Sequence, residues 1–106
     1  MTMNEDFYSF NLWKIKDGNK EEFLNIWENE LAKEFVKLNP DSKATLVQSM
    51  DSPNIYYSFG PWIKLDELQA ARSNKDYRSA ISKLVSLCEI SKSGSFKNIL
   101  TVTGNK

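Results

Sequence analysis

The side chains of this sequence that could do chemistry are hydrogen-bond donors and aromatic rings, not bases. Asn11 stands in the middle of FYSFNLWKIK, residues 7 to 16, flanked by Phe10 and Leu12. Its amide can donate to the oxygen of a bound molecule, or be a buried amide satisfied by its surroundings. Trp62 follows Gly60-Pro61 in NIYYSFGPWIKL, residues 54 to 65, where a strand gives way to a helix. Its ring pairs an apolar body with one N–H donor, so it fits both a core and a pocket wall. Tyr57 belongs to the same aromatic run, and Arg72 is one of two arginines in the chain. Such a guanidinium is either a fixed cation for an anionic substrate or a solvated charge at a helix end. Trp13 and Trp27 also read two ways, as lining for an apolar slot or as core.

The absences restrict the chemistry further. There is no histidine, the commonest general base and the usual ligand of zinc, non-haem iron and many haems, so serine-histidine hydrolysis, imidazole-bound metals and histidine-ligated haem are excluded. Cys88 is alone, which rules out an internal disulfide and reads as a small buried apolar residue. Lysine plus arginine and aspartate plus glutamate are both 14, so no overall field attracts nucleic acid or anionic lipid, and a small neutral or apolar partner is expected. The aromatics of YYSFGPW have no basic neighbour before Lys64, which also argues against nucleic acid. No stretch approaches the roughly 20 apolar residues of a membrane span. The start, MTMNEDFYSF, has neither a basic region nor an apolar signal core, so a cytoplasmic protein without a membrane partner is expected.

These residues need elements to position them. The 106 residues fit one domain with a core of about residues 7 to 103, small enough that dimerisation would help cover apolar surface. Residues 7 to 16 read as a strand apolar on both faces, with Phe7, Trp13 and Ile15 on one side and Tyr8, Phe10 and Leu12 on the other. Asp17-Gly18 turns the chain, and Asn19 with Glu22 has capping-box spacing. A helix follows with a stripe of Phe23, Ile26 or Trp27, Leu31, Phe35 and Leu38, stopped at Asn39-Pro40-Asp41. Residues 44 to 50 and 55 to 59 predict an antiparallel hairpin, the second strand ended by Gly60-Pro61. Leu65 to Arg72 predicts a short helix with Leu65 and Leu68 inward. Asp76 to Lys92 predicts another, with Tyr77, Ile81, Leu84, Val85 and Cys88 inward and Gly94 as its stop. Residues 96 to 102 supply the last strand. The order is β-α-β-β-α-β: an α+β, ferredoxin-like, four-stranded antiparallel sheet with helices on one face. Its other face is apolar, which predicts a homodimer with sheets packed face to face.

The stretches FNLWKIKDGNKEEFLNIW, TLVQSMDSPNIYYSFGPW and KLVSLCEISKSGSF resemble the antibiotic biosynthesis monooxygenase (ABM) domain, from about Phe10 to Val102. That resemblance implies a dimeric α/β barrel of ferredoxin-like subunits. The haem-degrading members use a histidine ligand and a tryptophan ten residues before it; the corresponding stretch here, ELQAARSNKDYRSAI, has neither. The cofactor-free oxygenases are the compatible members. They need no metal or flavin: the protein binds an electron-rich hydroxyarene, helps it ionise, and lets the anion pass an electron to molecular oxygen. Asn11, seven residues before Gly18, has the spacing at which the family often places a pocket asparagine. The resemblance thus implies a monooxygenase acting on a small aromatic or quinol-like substrate, with Asn11 and Trp62 as catalytic donors and Tyr57, Arg72, Trp13 and Trp27 as substrate-binding candidates. The alternative is a dimeric small-molecule binding or sensor module of the same fold, since no residue is an obvious strong base. Tyr56 and Tyr57 must point to opposite sheet faces, and a bulge at Gly60-Pro61 would reset which is which.

Overall fold

The computed structural model describes residues 7–104; residues 1–6, on which the reading of the chain start partly rests, and 105–106 lie outside the described residues. Strand β1 (Phe7–Ile15) leads into a continuous helix in three parts: α1 (Lys20–Ile26), a π-helical turn (Trp27–Leu31) and α2 (Ala32–Leu38). Then come β2 (Thr45–Gln48), β3 (Ile55–Trp62), α3 (Leu65–Ser73), α4 (Lys75–Ser86) and β4 (Cys88–Lys97). The strands form one antiparallel sheet in the order β2-β3-β1-β4. This is the ferredoxin-like arrangement expected, with its second helix divided at Asn74.

Period-two alternation decides what each face carries. In β1, Asn11, Trp13 and Ile15 are buried on the helix side, while Tyr8, Phe10 and Leu12 are half-buried on the other. In β3, Tyr56, Ser58, Gly60 and Trp62 take the buried side. The helices close over that side with Phe23, Ile26, Leu31 and Phe35. Ile26 and Leu31 are five residues apart, a spacing that the wider π-turn brings to one side. The core is aromatic: Trp13 meets Phe23 edge-on at 5.5 Å between ring centroids, and Phe35 meets Trp62 at 5.1 Å. Gly60 is required by that packing, since a Cβ there would lie 2.4 Å from the Phe35 ring. Gly18, at φ +88, supplies the left-handed residue for the turn after β1.

Several boundaries differ from the sequence reading. β3 continues through Gly60-Pro61 to Trp62 with unbroken register against β1. Proline is tolerated because β2 ends opposite Phe59; the Pro61 carbonyl, which points to the same side as the missing N–H, accepts Asn39 Nδ2 at 2.7 Å and Ser42 Oγ at 3.3 Å. No ladder bond is lost. The last helix stops at Ser86, not Lys92, and the last strand is Cys88–Lys97, not residues 96 to 102. The Leu87 carbonyl is taken by Lys16 N at 3.0 Å and Asn19 Nδ2 at 3.3 Å, so the chain leaves the helix there. Cys88 pairs with Ile15. Gly94 therefore lies mid-strand, Val85 is exposed, and Leu65, expected inward, is exposed too. Asn19, turned to Leu87, makes no capping bond to α1.

Candidate functional site

Between the helix-side face of β1 and β4 and the helices α3 and α4 lies an open-mouthed cavity of about 290 Å³, at the small end of the ~300–1,000 Å³ of ligand sites. Space exists because β4 sends small side chains inward. Ser95 stands beside Ser9 and Ser93 beside Asn11 in the register, and these four line the wall. Tyr77, Arg78, Ile81 and Ser82 of α4 face them, with Arg72 of α3 at the mouth.

A chain of hydrogen bonds fixes the wall. Ser93 Oγ donates to Asn11 Oδ1 at 2.6 Å, and Asn11 Nδ2 makes a long bond to Ser58 Oγ at 3.4 Å. Ser58 Oγ also accepts Trp13 Nε1 at 2.9 Å. The Asn11 amide has two N–H groups, and only that one long bond occupies them among the described residues. Its second N–H has no partner among the described residues, and Asn11 borders both this cavity and the smaller void behind it. Nearby, Trp62 Nε1 donates to Ser9 Oγ at 3.3 Å, and Ser9 Oγ bonds the Gly60 carbonyl at 3.4 Å.

Tyr77 is the titratable group of the wall. Burial pushes its phenol above the ordinary value, with a hydrogen bond to Ser9 and the Arg72 cation partly opposing. It is therefore an O–H donor, not a base, at neutral pH. Arg72 Nη1 donates to Ser95 Oγ, which anchors the guanidinium at the rim. No carboxylate is among the described walls, so the site offers donors and cations but no general base.

Behind the wall, beneath the π-turn, is a second void of about 20 Å³ bordered by Trp27, Leu31 and Ala32 and sharing Ser9, Asn11 and Tyr77 with the larger cavity. That is room for about one water molecule. Trp27 Nε1 is shut off from solvent there without an acceptor among the described residues.

Of the residues singled out from sequence, the structure brings Asn11 and Arg72 together in the larger cavity, with Trp27 behind them. Trp62 and Trp13 are fully buried and are not among its walls; Trp62 bonds the wall residue Ser9 from behind, and Trp13 bonds Ser58, which borders the smaller void and contacts Asn11. Tyr57 lies on the opposite sheet face, 45% exposed, because β3 keeps its alternation through Gly60. The sequence reading missed Tyr77 as a donor, having given it to the core, and missed Ser9, Ser93, Ser95 and Arg78. The signal for two of them was present: the serines of ISKSGSF recur every second residue, the period of a strand.

The opposite face is apolar. Phe10 stacks with Phe59 at 5.3 Å and meets Phe96 edge-on at 5.3 Å. A broad hollow of about 830 Å³ spreads over Tyr8, Phe10, Leu12, Tyr57 and Phe96, bordered by Ile99 and Leu100 of the segment after β4.

No protein-family model matches the sequence, and no curated protein matches it. Solved structures do match. A mutant of SnoaB, a cofactor-independent oxygenase from Streptomyces nogalater, superposes with a TM-score of 0.80 at 20% identity, covering 95% of this chain and 100% of that one. A protein from Nitrosomonas europaea, provisionally assigned as an antibiotic biosynthesis monooxygenase, gives 0.72 at 12% identity over 93% and 95% of the two chains. A NIPSNAP family protein from Agrobacterium tumefaciens gives 0.67 at 12% identity over 93% and 90%. The resemblance read from the sequence holds for the fold: this chain has the fold of the ABM proteins. Among the described residues no helix is long and apolar enough to cross a membrane.

Proposed function

We propose that the protein is a cofactor-free monooxygenase that oxidises a small aromatic or quinol-like molecule with O2 in the cavity between β1, β4 and α4, working as a cytoplasmic homodimer. The observation that carries this reading is the Asn11 amide. Its oxygen is engaged by Ser93, its nitrogen makes only one long bond, to Ser58, and the residue lines the cavity together with the neutral phenol of Tyr77. Two converging donors with a cation at the rim suit an oxygen on which negative charge develops.

In this reaction a hydroxyarene enters and its acidic proton leaves to water, since no wall residue is a base. Asn11, Tyr77 and Arg72 stabilise the resulting anion. The anion passes one electron to O2, giving a substrate radical and superoxide, which combine into a peroxide anion that takes back a proton from water to become a hydroperoxide. Its O–O bond breaks with loss of water, leaving one oxygen on the ring as a carbonyl. Overall, substrate plus O2 gives quinone plus water. Trp62 acts indirectly, by holding Ser9, and Trp13 by holding Ser58.

The homodimer reading rests on the other face. Phe96 is 54% exposed, Tyr57 45% and Ile99 86%, a contiguous apolar surface of a kind that isolated soluble chains seldom leave in water. A second copy, packed sheet to sheet, would cover it.

The lack of a wall base favours a second reading, a dimeric binding or sensor module using the same cavity without turnover. Oxygen uptake with anthrones, naphthols and quinols separates the two. Uptake with quinone formation, lost in Asn11→Ala, supports the oxygenase; binding without uptake on any compound leaves the sensor.

A further inference from the structure

We infer that the cavity recognises an anionic group, so that its ligand is an oxygenated aromatic ring bearing an acidic substituent, such as a carboxylate, held at the mouth between Arg72 and Arg78. This inference rests on the reading of that cavity as the ligand site, and it holds for an oxygenase and for a binding module alike.

The overall charge points the other way, because 14 cationic residues balance 14 anionic ones. The charges are not evenly placed. Both arginines of the sequence line this one cavity, and no aspartate, glutamate or lysine is among its described walls. Two positive charges thus face a cleft with no compensating negative one. Low-dielectric walls focus such a field, so a neutral chain can still hold a local anion site.

The choice of arginine adds to this. Every other cation among the 14 is lysine, which serves well as a solvated point charge; arginine offers a planar fork that fits a carboxylate with two parallel N–H bonds. Neither arginine has a carboxylate partner among the described residues, where the ion pairs are Lys37 with Glu34 and Lys83 with Glu30. Arg72 is held toward the sheet by Ser95. Arg78 and Ser82 lie one helical turn apart on α4 and both border the cavity, so a guanidinium and a hydroxyl converge from the helix side. Asn11 and Tyr77 line the same cavity as neutral hydrogen-bonding groups. The arrangement suits a ligand of defined polarity, with its phenolic or keto oxygen at Asn11 and Tyr77 and its acid group at the arginines.

The test is anaerobic binding, followed by quenching of tryptophan fluorescence, of 1-hydroxy-2-naphthoate, its methyl ester and 1-naphthol. The acid should bind at least about tenfold more tightly than the ester at low salt, a difference of about 1.4 kcal/mol. That preference should vanish in the double variant Arg72→Gln/Arg78→Gln, shrink in Arg78→Lys, and weaken as salt is raised. Both arginines are exposed, so the variants should fold, which circular dichroism checks. Equal affinity for acid and ester, or a preference that survives the double substitution, would overturn the inference. Oxygen uptake is scored separately: an acid preference without uptake keeps the anion site and removes the oxygenase, whereas uptake on 1-naphthol without any acid preference does the reverse.

Discussion

The two faces of β1 come from alternate residues of one nine-residue strand, and they do opposite things. On the helix side Ser9 and Asn11 carry hydrogen-bonding groups into a cavity of about 290 Å³. On the other side Tyr8, Phe10 and Leu12 build an apolar hollow of about 830 Å³. The larger space is the poorer candidate for a substrate, because its surface is mainly apolar, with Lys92, Lys97 and Asn98 among its borders. The smaller has converging donors, two guanidiniums and a phenol held neutral. A site is identified by placed polar groups more than by volume, and a broad, mainly apolar face with exposed aromatic rings suits a contact surface.

Substitutions can break this comparison from either side. The largest effect is expected at Asn11: if oxygenation is confirmed, Asn11→Ala should lower turnover by roughly 10²-fold or more, the scale for removal of one oxyanion donor. Substrate affinity should fall much less, so full kinetics must be measured. On the other face, Tyr57→Asp places a charge on the apolar surface and should weaken self-association by about 100-fold, near 2.7 kcal/mol. Sedimentation equilibrium would show it, and an unaffected dimer would mean that this face is not the interface. Neither substitution should reproduce the other's defect, which is the sharper form of the claim.

Smaller effects bear on the support behind the cavity. Gly60→Ala sets a methyl against the Phe35 ring and should cost about 1–3 kcal/mol in urea unfolding. Trp62→Phe keeps a ring against Phe35 but loses the N–H bond to Ser9, a loss of about 0.5–1.5 kcal/mol. The pH dependence is subtler. Burial pushes the Cys88 thiol from 9.0 to about 11, with Lys16 partly opposing, and raises the Tyr77 phenol as well. Both groups are neutral in the fold and ionise more readily when unfolded. The Cys88 contribution is therefore fully present below about pH 9 and is lost as pH rises through about 11, while that of Tyr77 is fully present below about pH 10 and is lost as pH rises further. Urea midpoints should fall across that alkaline window, less steeply in Cys88→Ala.

How far the site was legible depended on which period each segment declared. The β1 alternation and the helical stripe of Phe23, Ile26, Leu31 and Phe35 were readable because side-chain type and geometry agree there. The stretch after Leu84 was not. Cys88 falls four residues on, where a helix would also place it, so the helix reading ran over the start of β4. Ser93 and Ser95 were hidden with it, and the β4 side of the cavity wall went unseen. Tyr77 was correctly placed as buried, but burial alone does not reveal that its hydroxyl faces Ser9 and Arg72; that depends on a contact between α4 and β1. Trp62 shows the converse. A prominent indole beside Gly-Pro suggested a pocket wall, while the ring is 1% exposed and works from behind.

The most direct test of the central claim, that the helix-side cavity rather than the apolar sheet face receives the ligand, is an NMR titration of the labelled protein with 1-hydroxy-2-naphthoate. Binding in the helix-side cavity should give saturable shifts at the backbone amides of Tyr77, Ile81, Ser82 and Ser95, with Tyr8, Tyr57 and Phe96 little changed. Shifts concentrated at Tyr8, Tyr57 and Phe96, with Tyr77 and Ser82 unmoved, would contradict the claim.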